Sequence, residues 1–424
     1  MTPLTARSAR RRYLALIALR WLPTGLLIPV TVLLALSRGL SLTEIGLVFS
    51  IQGLVVLALE LPTGGLSDAL GRRPVLVLAS VVGLASLGLL FVADSVALFA
   101  GATLLQGIYR ALDSGPLEAW YVDTTLAAEP GASIEKGLSA GSTVLSVAIA
   151  VGALLSGALV ALHPIESMPA LALPLLVALA FGAVNLVAIL LLMQEARVAR
   201  GLGAIGDGLR AVPQVVGDGI GLLRGSRVLL ALVGVELFWG FAMVTFESLF
   251  PIRLSETLGD TDQAAAVMGP VSSVAWFASA AGAALVVLVS DRIGVARSAA
   301  ALRIVQGATV VAMGLIAGPV GVVVAYLACY VAHGASNPMH MTLLHREVDG
   351  PHRTTVISMN SMVGQPAGAL GAIVLASLAD ATSISTAMIV GGVVCALAAP
   401  LYIPAWRAEL ARRRGAVPAV AVAA

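Results

Sequence analysis

Arg110, Asp113 and Glu118 stand close together in one otherwise apolar stretch, Arg110-Ala111-Leu112-Asp113-Ser114-Gly115-Pro116-Leu117-Glu118-Ala119-Trp120. One guanidinium and two carboxylates at this spacing can pair with each other, hold a charged solute, or carry a proton. Arg110 and Asp113 are three residues apart and can meet on one helix face. Arg20 lies in a separate apolar run at a depth similar to that of Glu118, with Asp113 somewhat deeper, so Arg20 can pair with either acid. Further along, Glu236, His333 and Asn337 form a sparser set at comparable depth, accompanied by Trp239, Phe241, Phe246, Glu247 and His340. A histidine facing an acid suits proton transfer near neutral pH; a histidine within a helix also serves as hydrogen-bonded packing.

These groups need an apolar scaffold, and the composition supplies one. The 424 residues are 59% hydrophobic and 11% charged, with mean hydropathy +0.98; a soluble chain carries about 25% charged residues. A bilayer crossing takes about 20 apolar residues. Hydropathy places crossings near 13–36, 44–63, 74–93, 96–124, 137–162, 169–193, 228–252, 263–289, 298–317, 320–344, 354–379 and 383–405. The expected fold is an all-α integral membrane protein of twelve helices in two pseudo-symmetric bundles. Its divisions are a first bundle (1–194), a cytoplasmic linker (195–227), a second bundle (228–406) and a cytoplasmic tail (407–424).

Basic residues orient it. Arg20, Arg110 and Arg303 lie within crossings; of the rest, only Arg38 and Arg253 fall on the outer side, so the positive-inside rule puts both termini in the cytoplasm. Arg7 to Arg12 then form a cytoplasmic arm rather than the start of a cleaved signal peptide. Lys136 is the one lysine beside many arginines, a usage that suggests a GC-rich bacterial genome; the expected location is a bacterial inner membrane. Cys329 and Cys395 sit in apolar runs, which excludes a disulfide scaffold and a cysteine-rich metal site. No P-loop, nucleophile elbow or metal-ligand spacing is present, so no enzyme, cofactor or metal is expected. The basic termini are too short to argue for nucleic acid.

The loop between the second and third crossings carries a further pattern. Gly64, Leu66, Asp68, Gly71, Arg72, Arg73 and Leu76 fit G-x-L-a-D-r-x-G-r-k-x-x-l, with Ser67 and Ala69 as departures. A weaker copy, Asp291, Arg292 and Gly294, follows between crossings eight and nine; Gly294 lies 223 residues after Gly71. On these residues the chain resembles the major facilitator superfamily over essentially its whole length, nearest to the drug/proton antiporter-like branch. Two patterns of that branch are degraded: Gln106-Gly107 survives in the fourth crossing with Thr103 in place of its arginine, and Gly152 to Gly157 lacks the proline of the fifth.

The resemblance implies alternating access about a midplane site between helices 1, 4, 7 and 10. It implies that Asp68 faces the start of helix 11 near Arg353-Thr354-Thr355 and that Arg72 pairs with Asp123, contacts made in one state and broken in another. The expected activity is proton-coupled efflux of a small amphiphilic compound, with Asp113, Glu118 or Glu236 carrying the proton. The expected partners are that substrate, protons and the lipid bilayer, and a monomer suffices. Import or uniport of an anionic metabolite through Arg110 is the rival within transport; a non-transporting sensor or scaffold is the rival outside it.

Overall fold

The computed structural model describes residues 4–195, 217, 219–348 and 353–415, without the side chains of residues 61, 64, 65, 68, 69, 353–355 and 413–415. The elements within them are all helical. Eleven helices are long and apolar enough to cross a bilayer. They are α1 (Ala6–Ser37), α2 (Leu42–Leu70), α3 (Arg72–Val92), α5 (Glu135–Leu162), α6 (Ala170–Leu192), α7 (Arg227–Leu258), α8 (Thr261–Ile293), α9 (Val295–Leu315), α10 (Pro319–Arg346), α11 (Arg353–Ala381) and α12 (Ile384–Arg412). The twelfth, α4, is broken. It runs as α4a (Val96–Asp113) and α4b (Pro116–Ala128), joined by Ser114 and Gly115.

The break is local chemistry. Pro116 has no N–H to continue the ladder and fits the first turn of a new helix. Gly115 takes φ 91°, a left-handed conformation that a side chain disfavours. The single crossing expected at 96–124 is therefore two helices, with Asp113 as the last residue of the first. The linker expected at 195–227 falls mostly outside the described residues, as do residues 416–424 of the tail.

Packing repeats helix for helix. In the first half α1 packs on α5 and α6, α4 on α2 and α3, and α3 on α6; in the second, α7 packs on α11 and α12, α10 on α8 and α9, and α9 on α12. The repeat extends to individual caps. Gly71 (φ 93°, ψ 159°) and Gly294 (φ 94°, ψ 155°) turn the chain identically before α3 and α9. Glu195 then accepts the backbone N–H groups of Arg72 and Arg73, both at 2.9 Å. Glu409 accepts those of Val295 and Ala296 at 3.3 and 3.2 Å. A carboxylate at a helix N-terminus is favoured by unpaired N–H groups and the dipole.

The opposite ends of α3 and α9 carry the two arginines expected on the outer side. Arg38 donates to Leu90 O (2.9 Å), Phe91 O (2.8 Å) and Ala93 O, and Arg253 donates to Ile316 O at 3.0 Å. The exceptions to the charge rule are thus helix C-caps.

The halves meet along two seams exchanged by the repeat, α2 on α11 and α5 on α8. On the second seam the backbones nearly touch. A Cβ added at Gly269 would lie 2.6 Å from Gly157 Cα, and one at Gly157 would lie 2.6 Å from Ala266 O, so side chains are excluded from both positions.

Candidate substrate and coupling site

The break in α4 leaves the carbonyl of Asp113 without a helical partner, and Arg20 of α1 fills the gap. Its Nε donates to Asp113 Oδ2 and its Nη2 to the Asp113 backbone O at 3.2 Å. Tyr109 lies beside the pair and acts on both partners, and the guanidinium lies 4.9 Å from the Trp21 ring centroid. Only 17% of the Arg20 side chain and 6% of the Asp113 side chain are exposed. Behind the pair lies a cavity of about 40 Å³ between α1, α3, α4a and α6, lined by Arg20, Gln106, Tyr109, Ser80 and Asn185. It has room for about three water molecules, and Asn185 Oδ1 is buried beside it with no protein partner. Sequence spacing left Asp113 and Glu118 both open as partners of Arg20; the structure pairs Asp113. Glu118 is exposed in the first turn of α4b, where its charge acts on Tyr13 of α1.

Arg110 is exposed one turn before Asp113. Its charge acts on Asp113, on Glu60 of α2 and, across the gap between halves, on Glu247 of α7. Glu60 Oε2 is buried without a hydrogen-bond donor. Glu247 is exposed in a π-helical turn, Thr245–Leu249. Four residues on, Pro251 removes the N–H that would bond the Glu247 carbonyl, and its ring crowds that carbonyl, which widens the turn. Glu247 therefore joins the site, and the signal for it in the sequence was Pro251.

The second half holds a different centre. Glu236 of α7 lies 3.3 Å from His340 Nε2 on α10. The same nitrogen lies 3.1 Å from Asn360 Oδ1 on α11, and His340 Nδ1 lies 3.0 Å from the Tyr402 hydroxyl on α12. A neutral imidazole with its proton on Nε2 satisfies this set: Nε2–H faces two acceptors and Nδ1 accepts from Tyr402. Arg303 of α9 donates to Gln306 Oε1 (2.9 Å), acts on Tyr402 and Glu236, and sits 5.7 Å from the Trp239 ring centroid. All six of Glu236, Arg303, Gln306, His340, Asn360 and Tyr402 are buried.

His333, read from sequence beside Glu236, instead packs among rings: 5.9 Å from Trp239 and nearly parallel, 5.5 Å from Phe246 and 5.8 Å from Tyr330. Asn337 is exposed. Sequence reasoning left His340, Asn360 and Tyr402 out of the site and placed Arg303 only as an intramembrane charge; that charge was itself the signal.

In the loop motif, Arg72 pairs with Asp123 at the end of α4b, and Arg73 donates to Leu190 O at 2.7 Å. Asp291 and Arg292 are exposed. Gly64 and Asp68 fall in the last two turns of α2, but the Asp68 side chain and those of Arg353, Thr354 and Thr355 lie outside the described residues.

Two six-helix bundles, repeated cap for cap around a charged space, define a multi-pass membrane fold of the transporter class. A sequence model of the Major Facilitator Superfamily matches residues 13–372, and the chain belongs to that family. The nucleoside transporter NupG superposes with a TM-score of 0.76 at 13% identity, covering 94% of this chain and 99% of its own. A bacterial homologue of the human lysosomal transporter Spinster, inward-facing and occupied, gives 0.74 at 15%, covering 95% and 97%. The human organic anion transporter MFSD10 gives 0.60 at 18%, covering 94% and 99%. At these identities the likeness is one of fold. No curated protein sequence matches the chain.

Proposed function

We propose that the chain exports a small amphiphilic cation across the cytoplasmic membrane of a bacterium in exchange for protons, by alternating access, with both termini in the cytoplasm. The observation that carries the coupling is the Arg20–Asp113 pair at the break of α4. Protonating Asp113 removes the charge that holds Arg20, and a buried pair broken on one side is worth about 3–5 kcal/mol. That is enough to shift a two-state equilibrium more than a hundredfold. The adjoining cavity, where Ser80, Gln106 and Asn185 offer polar groups, gives the freed guanidinium a place to be solvated.

The charge of the substrate follows from the same space. Glu60 and Glu247 face one compensating base, Arg110, while Arg20 and Asp113 neutralise each other. An anion offered to Arg110 must displace two carboxylates already acting on it; a cation answers an existing excess of negative charge. Trp239 and His333 add a flat, partly exposed surface suited to an aryl group.

The test uses proteoliposomes with an imposed pH gradient and two probes, tetraphenylphosphonium and benzoate. The expected result is gradient-driven movement of the cation that is lost in Asp113→Asn, with cation binding retained. Movement of benzoate that depends on Arg110 would instead establish the anionic reading.

A further inference from the structure

At the outer end of the first seam, a carboxylate from one half completes a helix of the other. The first four N–H groups of any α-helix lack intrahelical partners. For α2, two are met by its own capping box: Ser41 N donates to Glu44 Oε2 (2.8 Å) and Glu44 N to Ser41 Oγ (3.2 Å). The remaining two belong to Leu42 and Thr43, and that of Thr43 is met by Asp380 in the last turn of α11. Thr43 N donates to Asp380 Oδ2 at 3.1 Å, and Thr43 Oγ1 donates to the same atom at 2.7 Å.

We propose that Asp380 is the latch of the outer gate: it holds α2 against α11 while the outer mouth is shut, and the mouth opens by handing these donors to water. Three features argue for a latch rather than incidental surface contact. The acid is ionised at a helix N-terminus, where both dipole and free N–H groups favour it. Its donors lie in the other half, so the bonds cannot survive separation of the halves at that end. The pseudo-equivalent seam, α5 on α8, closes differently, through the backbone approach of Gly157 and Gly269, and α8 caps itself with Asp260 accepting from Gln263 N at 2.7 Å. Among the described residues, hydrogen bonds between the halves are thus confined to the α2–α11 seam. That antiparallel pair also carries Asp68 in the last turn of α2, at its opposite end. Each helix therefore brings an acid to the end where its partner begins.

The experiment places spin labels on the outer loops of the two halves, at Ser95→Cys and Ala317→Cys, and measures the distance distribution in detergent and in nanodiscs. Both positions are exposed, and the native Cys329 and Cys395 are buried. In Asp380→Ala the long-distance population should rise at least about tenfold relative to the short one, the weight of a hydrogen-bonded carboxylate. Thr43→Val, which keeps the backbone donor and loses the hydroxyl, should give a smaller rise of about threefold. Both variants are checked for an unchanged elution profile. Distributions identical to the parent in both would overturn the proposal. So would equal rises in the two and in a Glu44→Gln control, which would mark general fraying of α2. The latch does not depend on what is transported or on Asp113, so proton coupling can fail without it.

Discussion

In the first half, the buried ion pair Arg20–Asp113 stands at a broken helix, next to exposed Ser114 and Gly115 and against a small cavity. In the second, Glu236 and Arg303 sit among five packed helices, tied through His340, Asn360, Gln306 and Tyr402 with no member exposed. The surrounding scaffold is nearly the same in both, down to Gly71 and Gly294, Glu195 and Glu409, Arg38 and Arg253. Identical frames around unlike centres separate two uses of intramembrane charge. The first centre has a single carboxylate, a hinge in the backbone and space to move; the second has partners on five helices and little freedom. We read the first as the part that switches and the second as the part that holds.

The largest expected effect tests the holding role. Arg303→Met strands Glu236 and Tyr402 in a sealed environment and should cost about 3–5 kcal/mol, read as a lower midpoint of thermal denaturation. Arg20→Met should cost distinctly less, because water in the adjoining cavity can reach the abandoned Asp113. Equal losses would erase the distinction between the two centres.

Next comes the switching role. Asp113→Asn should lower gradient-driven transport about a hundredfold, roughly 2.7 kcal/mol, while Glu236→Gln should lower it less than about fivefold. The Glu236 variant should instead lose stability, because a neutral amide binds Arg303 and His340 less well. A reversed pattern, with transport abolished by Glu236→Gln alone, moves the coupling site to the second half.

A smaller effect sharpens what the halves share. Glu195→Gln and Glu409→Gln each weaken a carboxylate cap on two backbone N–H groups, so each should cost about 1 kcal/mol. Glu409 also lies 3.9 Å from Arg346, so its loss should be the larger by up to about 1 kcal/mol, measured by denaturation of the purified single variants. A wider gap would show that the frames, and not only the centres, have diverged.

How much of this was legible beforehand divides along the same line. The frame was: apolar runs gave the helices, the loop motif gave the repeat, and the placement of arginines gave the orientation expected for it. Arg38 and Arg253 were visible as outliers, although only the fold shows that each caps a neighbouring helix. The break in α4 was written in Gly115-Pro116 and the wide turn at Glu247 in Pro251, local effects that a hydropathy window averages away. The pairings were not legible, for a geometric reason. His333 and His340 are seven residues apart, so they share nearly one helix face and differ by about 10.5 Å in depth. Depth counted from uncertain helix ends is not sharp enough to choose between them as partner of Glu236. The same uncertainty left Asp113 and Glu118 tied as partners of Arg20. Asn360 and Tyr402 carry no charge, so nothing in the linear pattern marks them as members of an ionised network.

The smallest expected effect marks where the second centre ends. His333 shares a helix face with His340, yet its neighbours are the rings of Trp239, Phe246 and Tyr330, and its Nδ1 is buried without a partner. A phenyl ring fills a similar volume, keeps the stacking geometry and removes that unpaired atom. His333→Phe should therefore change stability by no more than about 0.5 kcal/mol and leave the ratio of gradient-driven to passive flux unaltered. His340→Phe removes an imidazole bonded at both nitrogens, stranding Tyr402, Asn360 and Glu236, and should cost about 1–3 kcal/mol. Thermal denaturation and a flux assay on the same preparations separate the two. Should His333→Phe abolish gradient-driven flux while the protein melts normally, a proton passes through the second half after all. The sealed network would then be one end of a relay rather than a fixed anchor.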